Sequence, residues 1–327
     1  MTAFDIQANQ SVSEHGAIMA DLVSRHDVLL PLLKGRPIHY LDIPMYGNVG
    51  DLLIMQGTLR FLQKHRLPVS RMGMYFNYSA NWAKPDDIIV FQGGGNFGDI
   101  YGPFQRFRER VIADLPKNRI VILPQSMHFS DPAKFNQCCE LLSRHPDLHI
   151  CVRDSESEKM ARRMTPHVYL LPDMAHQLWP IARPSTPLYP LLQLRRRDNE
   201  ACAPTGDVGD TFDWDDLIGK NWTFFLSQIA ERSMYHAHRL GLNKPFANLE
   251  ARLWIAQAER FVARAVQLFA QHERIESDRL HAHILSCLLS IPHHIDDNSY
   301  GKNSRYIAAW TSTSPLLSFE QSWASVA

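Results

Sequence analysis

Residues 87–115 read DIIVFQGGGNFGDIYGPFQRFRERVIADL, and the three parts of this stretch set the architecture. DIIVFQ is a short, unbroken apolar run of the kind that forms a strand buried on both faces of a parallel sheet. Gly93, Gly94 and Gly95 follow at once, then Asn96, Gly98 and Asp99, and residues 101–115 have helical apolar spacing. Three successive glycines are costly in conformational entropy. Placed after a strand, they imply a tight turn into the helix or a ligand that comes very near the main chain.

The same unit recurs along the first half of the chain. A polar tail to about Ser13 precedes a helical stretch from His15 to Leu33. The strand IHYLDIP then leads into Tyr46-Gly47-Asn48-Val49-Gly50-Asp51 and the helix LLIMQGTLRFLQKH. Asn48 or Asp51 can cap that helix, and the two glycines open its N-terminus to a ligand. GNVGD is neither GxGxxG nor a P-loop, so it specifies no dinucleotide or nucleoside triphosphate. The strand RIVILP carries Gln125, Ser126 and His128 at its tip, DLHICVRD ends in Arg153 and Asp154, and VYLLPD ends at Asp173. Each polar cluster thus falls at the C-terminal end of an expected strand. Such repetition predicts a parallel, doubly wound α/β sheet whose strand tips share one edge.

Prolines 180, 184, 187 and 190 read as a linker, and LYPLLQLRRRD reads as the first strand of a second domain. A polar, acidic loop follows (residues 199–217), then helical stretches over residues 221–240 and 249–272. Next comes ESDRLHAHILSCLLSIPHHIDDNSYGK, residues 276–302. Arg279 and His281 stand where a strand gives way to a helix, a place whose unpaired N–H groups and dipole suit an anion. An arginine beside a titratable histidine there suggests an acidic substrate that also needs a proton. His283 faces elsewhere on the helix, while His293 and His294 read as strand residues. The loop Asp297-Asn298-Ser299, with Gly301 and Lys302, brings further polar groups to the neighbouring strand end. The expected fold is two doubly wound Rossmann-like domains, residues 1–180 and 181–327, facing each other across a cleft as in the glycosyltransferase-B arrangement.

Composition narrows the function. Lys plus Arg equals Asp plus Glu, 34 each, so no overall charge favours nucleic acid or an anionic membrane, and any anion site is local. Five cysteines, odd in number and without CxxC spacing, read as buried thiols of a reducing compartment and not as a disulfide frame or zinc site. No signal peptide and no apolar run of about 18 residues is present, which points to a cytoplasmic protein. No metal-ligand spacing is visible, so neither a metal nor a cofactor is expected.

The series GNVGD, FQGGGNFGD, LPQSMHF, VRDSES, LPDMAH, RRRDNE, SDRLHAHI and DNSYGK, in that order over residues 46 to about 310, resembles the polysaccharide pyruvyl transferase family. The resemblance implies transfer of the enolpyruvyl unit of phosphoenolpyruvate to a saccharide, forming a pyruvate ketal and releasing phosphate. It implies that Arg279 and His281 are the family's Arg-x-His pair and Arg153 a second donor-binding arginine. The acceptor, free or lipid-linked, is left open; a lipid-linked one would bring the protein peripherally to a membrane.

The chemistry fits the residue types. Phosphoenolpyruvate carries a carboxylate and a phosphate, and arginine forks bind both. His281 is the candidate general acid toward the methylene carbon, with Asp51, Asp99 or Asp173 taking the acceptor's proton. Asn48, Gly94, Gly95, Asn96, Gln125, Ser126, Asn298, Ser299 and Lys302 complete the expected binding set. Two other readings stay open: a nucleotide-sugar glycosyltransferase of the same architecture, and a non-catalytic sugar-binding protein that keeps the fold.

Overall fold

The computed structural model describes residues 3–184, 186–197, 212–218, 232–233, 236–237, 239–241, 247–298 and 301–319. Its strands are β1 Ile38–Leu41, β2 Val69–Gly73, β3 Ile88–Phe91, β4 Gly94–Gly98, β5 Ile120–His128, β6 Leu148–Val152, β7 His167–Leu170, β8 Tyr189–Leu194, β9 His272–Ser277, β10 His293–Ile295 and β11 Leu317–Ser318. Its α-helices are α1 Ala3–Arg25, α2 Leu30–Leu33, α3 Val49–Lys64, α4 Gly102–Asp114, α5 Pro132–Leu142, α6 Ser155–Ala161, α7 Trp214–Ile218, α8 Ala247–Ala270, α9 Leu280–Leu288 and α10 Lys302–Trp310. The fold is mixed α/β with parallel, Rossmann-like sheets.

The first sheet runs β2-β1-β3-β5-β6-β7, with β4 paired beside the end of β5. All these pairings are parallel. β1, β3 and β6 are buried at every position, as strands covered by helices on both faces must be. A second parallel sheet runs β11-β10-β9-β8.

The two sheets are firmly joined. One apolar cluster includes Ile38, Val90 and Met174 from the first half and Leu194, Ile275 and Leu285 from the second. α8 reaches across to the first sheet, where Trp254 Nε1 donates to the Pro44 carbonyl at 2.6 Å and Asn248 Oδ1 accepts from the Met72 N–H at 3.0 Å. From α1, His15 Nε2 donates to the Cys287 carbonyl of α9 at 2.9 Å.

Several local expectations change. The glycine run is not all loop: Gly94–Gly98 forms β4 against β5. Gln125 and Ser126 consequently lie inside the nine-residue β5, not beyond its tip. α1 already begins at Ala3, within the stretch read as a polar tail. β2 and β11 were not foreseen. Residues 199–211 of the acidic loop, most of the 221–240 helical stretch and Cys202 lie outside the described residues. The other four cysteines are buried and free.

Candidate active site

Loops at the C-terminal ends of β1, β3, β6 and β9 converge with the start of α10 on a cavity of about 420 Å³. Eight of the residues anticipated from sequence line it: Asn48, Asp51, Gly95, Asn96, Arg153, Arg279, His281 and Lys302. Met45, Tyr46, Tyr75, Tyr101, Phe104, Arg196, Trp214 and Leu280 complete the wall.

Arg153 follows directly on β6 and is fully buried. Its Nε donates to Ser126 Oγ at 2.8 Å, and its Nη1 is paired with Asp173. Ser126 also donates to Asp154, the N-cap of α6. Ser126 and Asp173 thus hold the guanidinium without lining the cavity themselves. Arg153 Nη2 is buried and has no hydrogen-bond partner among the described residues. It lies against Gly95 of β4, where an added Cβ would stand 3.4 Å from Nη2 and 2.9 Å from Lys302 Nζ. Glycine at this position lets two cations meet beside bare main chain. An unpartnered, desolvated guanidinium N–H costs free energy that a bound anion would recover.

Asp173 is the hub of the floor. Its Oδ1 caps the following turn through the Ala175 N–H at 2.9 Å, while Oδ2 faces Arg153 and lies 3.4 Å from His281 Nε2. Burial alone would raise this carboxyl. His281, Arg153 and the Ala175 amide outweigh it and hold the group well below the usual carboxylate range. At 3.4 Å the contact with Nε2 is long, and that nitrogen has no well-formed hydrogen bond.

His281 sits in the first turn of α9, after Arg279 at the N-cap. Its ring packs on the first turn of α3, so that a Cβ on Gly50 would fall 2.5 Å from Nδ1. Asn48 caps α3, its Oδ1 accepting the Gly50 N–H at 3.0 Å. Both ends of the GNVGD loop are therefore committed, one to the cap and one to clearance for His281.

Arg279, expected to grip the donor, lines the cavity and is itself held by a carboxylate. Its Nε and Nη2 make a forked pair with Asp213 at 2.7 and 2.6 Å. Asp213 also accepts the main-chain N–H of Arg197 at 3.1 Å, tying the end of β8 to this arginine. The fork fixes the plane of the guanidinium at the cavity edge.

Below Asn96 lies a second buried pair, Asp42 and Arg108. Arg108 Nη2 donates to Asn96 Oδ1 at 2.7 Å and Asn96 Nδ2 donates to Asp42 Oδ2 at 3.1 Å. Gln125 Nε2 joins at 3.3 Å to Asn96 Oδ1. Burial pushes Asp42 up to about 6 against the pull of Arg108 and Asn96. Asn96 is thereby fixed in orientation, and Gln125 supports it from outside the cavity.

Other expected members stand apart. Asp99 accepts the N–H groups of Ser130 and Asp131 at 3.0 and 2.8 Å, which makes it a brace for the turn after β5. Asn298 Oδ1 accepts the Lys302 N–H at 2.7 Å and so organises the start of α10. Gly94 has φ of +130° and lies beside Asp51, where an added Cβ would sit 3.3 Å from Oδ1. Ser299 lies outside the described residues. No sequence signal marked Asp213, Asp42 or Arg108.

Among the described residues one group has metal-ligand character: His283, Cys287 and His293, all buried. Cys287 follows His283 at i+4 on α9, and β10 supplies His293, a juxtaposition that linear spacing hides. His293 Nδ1 donates to the Ile291 carbonyl, so its Nε2 accepts from His283 Nδ1 at 2.8 Å. Cys287 Sγ lies 3.9 and 4.0 Å from the two ring nitrogens of His283 and 3.8 Å from His293 Nε2. Burial lowers His293 to about 4 and His283 well below its ordinary value. The two histidines form a buried hydrogen-bonded pair with Cys287 beside it.

No helix among the described residues is long and apolar enough to cross a membrane. The chain resembles a solved Klebsiella pneumoniae protein of uncharacterized function, with TM-score 0.56 at 17% identity over 98% of this chain and 99% of that one; the likeness concerns the fold. EpsO of Bacillus subtilis (strain 168), named as a candidate pyruvyl transferase, is 38% identical over 85% of this chain and 86% of its own. Pyruvyl transferase 1 of Schizosaccharomyces pombe is 28% identical over 84% of this chain and 70% of its own. The sequence profile described as polysaccharide pyruvyl transferase matches residues 48–299. With its cationic cavity and buried Arg153–Asp173–His281 floor, this chain belongs to the polysaccharide pyruvyl transferase family.

Proposed function

We propose that the protein transfers the enolpyruvyl unit of phosphoenolpyruvate to two hydroxyls of a saccharide, giving a cyclic pyruvate ketal and inorganic phosphate. The observation that carries this reading is the unpartnered Nη2 of buried Arg153 beside Lys302, with His281 lining the same cavity. Arg153 and Lys302 would take the donor's anionic groups, and Arg279 would stabilise them from its fixed position on Asp213. His281, braced from behind by Asp173, would protonate the methylene carbon and leave a carbocation at C2 stabilised by its oxygen. Addition of one hydroxyl, loss of phosphate and addition of the second hydroxyl complete the ketal. Of the two hydroxyl protons released, one replaces that given to the methyl group and the other leaves with phosphate.

In this reading the two parallel sheets are the paired Rossmann-like halves of a glycosyltransferase-B-like enzyme, residues 1–180 and 181–327. It acts in the cytoplasm with phosphoenolpyruvate as donor and no further cofactor. The test is to incubate the protein with phosphoenolpyruvate and a panel of free and lipid-linked saccharides, with phosphate release as readout. Saccharide-dependent phosphate release is the expected result. Turnover of nucleotide sugars in parallel reactions, with phosphoenolpyruvate inert, would replace this reading with glycosyl transfer.

A further inference from the structure

The cavity lining is of two kinds. Arg153, Lys302 and Arg279 supply cations, while Tyr46, Tyr75 and Phe104 form a contiguous aromatic set, with ring centroids 5.7 Å apart for Tyr46–Phe104 and 4.9 Å for Tyr75–Phe104. Tyr101 also lines the cavity and is 39% exposed. These rings are only partly buried, although a soluble chain gains by burying aromatic surface fully. A cluster of half-open rings at a cavity rim therefore marks a binding surface.

Asp51 lines the same cavity. Its Oδ1 lies beside Gly94 of β4, and its carboxylate interacts with the Tyr46 hydroxyl. Gly50, the preceding residue, bears the His281 ring. The other two carboxylates considered for proton transfer are excluded by position: Asp173 is buried between Arg153 and His281, and Asp99 is bound to the turn after β5.

We infer that Tyr46, Tyr75 and Phe104 form the acceptor subsite, taking the apolar C–H face of a pyranose ring, and that Asp51 is the base that activates the first sugar hydroxyl. A ring seated there directs its hydroxyl edge toward Asp51 and the donor side. Asp51 takes the proton of the first hydroxyl as its oxygen bonds to C2, with the C2 π electrons returning to the ester oxygen. It returns that proton to the departing phosphate when the C2–O bond breaks. The second hydroxyl adds to C2, and neutral His281 accepts its proton, which restores both groups. This assignment rests on the pyruvyl-transfer reading, but the subsite itself can be tested without turnover.

Saturation-transfer NMR with the methyl glycosides of gluco-, galacto- and mannopyranose, without donor, reads the wall directly. At least one glycoside should receive saturation from the wild type and lose it in Tyr75→Ala and Phe104→Ala, whose thermal unfolding shows them folded. Equal transfer in those variants, or none to any glycoside in the wild type, overturns the subsite. Where an acceptor turns over, Tyr75→Ala should raise its KM by about 10-fold with phosphoenolpyruvate affinity unchanged by calorimetry. Asp51→Asn should lower kcat by about 100-fold at unchanged affinities. Near wild-type kcat in a folded Asp51→Asn protein overturns the base assignment. Glycoside binding at the wall without phosphate release from any saccharide would uphold the subsite and refute the pyruvyl-transfer reading.

Discussion

The imidazole of His281 rests on the α-carbon of Gly50, so closely that a methyl group there would stand 2.5 Å from Nδ1. The loop from the first half of the chain is thus shaped around a side chain from the second half. Gly50 has no left-handed φ, so the backbone does not require glycine; the clearance for the ring does.

Gly50→Ala separates these two roles. Alanine favours helix over glycine by up to about 1 kcal/mol, so the first turn of α3 gains local stability while the ring is displaced. Small misplacements of a reacting group can cost on the order of 100-fold in rate. The expected outcome is a near-normal melting temperature with turnover down at least about 10-fold. Wild-type turnover in a folded variant would show that His281 does not work from this position.

Asp173 sets an acid limit on stability. Its folded-state carboxyl is depressed below the unfolded value, so the folded protein holds this proton more weakly than the unfolded chain. The contribution is complete above the ordinary carboxylate value of about 4 and is lost as pH falls from there toward the depressed native value. Asp173→Asn strands buried Arg153, a change that typically costs about 3–5 kcal/mol at neutral pH. It should also flatten the stability curve below pH of about 4. Denaturant unfolding at several pH values checks both. Parallel wild-type and variant curves below that pH would show that the carboxylate is not linked to folding.

Arg153→Lys keeps a charge but removes the fork. Lysine cannot reproduce the bonds to Ser126 and Asp173 while leaving an N–H aimed at the cavity. Phosphoenolpyruvate affinity by calorimetry should fall by at least about 10-fold, as expected for loss of a charge-assisted hydrogen bond of about 1.5–3 kcal/mol. An unchanged affinity would remove Arg153 from the donor site.

The parts of this site that were legible in the sequence are those fixed by local chain direction. DIIVFQ and DLHICV announce buried parallel strands, and Arg153 and His281 are positioned by the ends of β6 and β9 that such strands imply. Partners chosen across the fold were not legible. Arg279 is anchored by Asp213, 66 residues away in sequence, and Arg108 by Asp42 at the same separation. Neither pairing leaves a periodic or spacing signal. β4 was hidden for another reason, since three glycines argue against a strand by propensity. Its pairing with β5 is set by close approach: a Cβ at Gly98 would lie 1.7 Å from the His128 carbonyl oxygen. Gln125 and Ser126 were recognised as important, but their work is to hold Asn96 and Arg153 from beneath.

His281 decides between an acid and a mere binder. Asp173 stands 3.4 Å from Nε2, Nδ1 packs against Gly50 at the capped start of α3, and the ring lines the cavity. If it only orients the donor, His281→Gln should retain most of the rate and show its loss in KM. If it protonates the methylene carbon, the change should lower turnover by at least about 100-fold with donor affinity near normal, the pattern of an interaction made only in the transition state. In deuterium oxide one solvent deuteron should enter the methyl group of each ketal formed. A folded His281→Gln protein with wild-type turnover and unaltered deuterium incorporation would transfer the proton-donor role to another group.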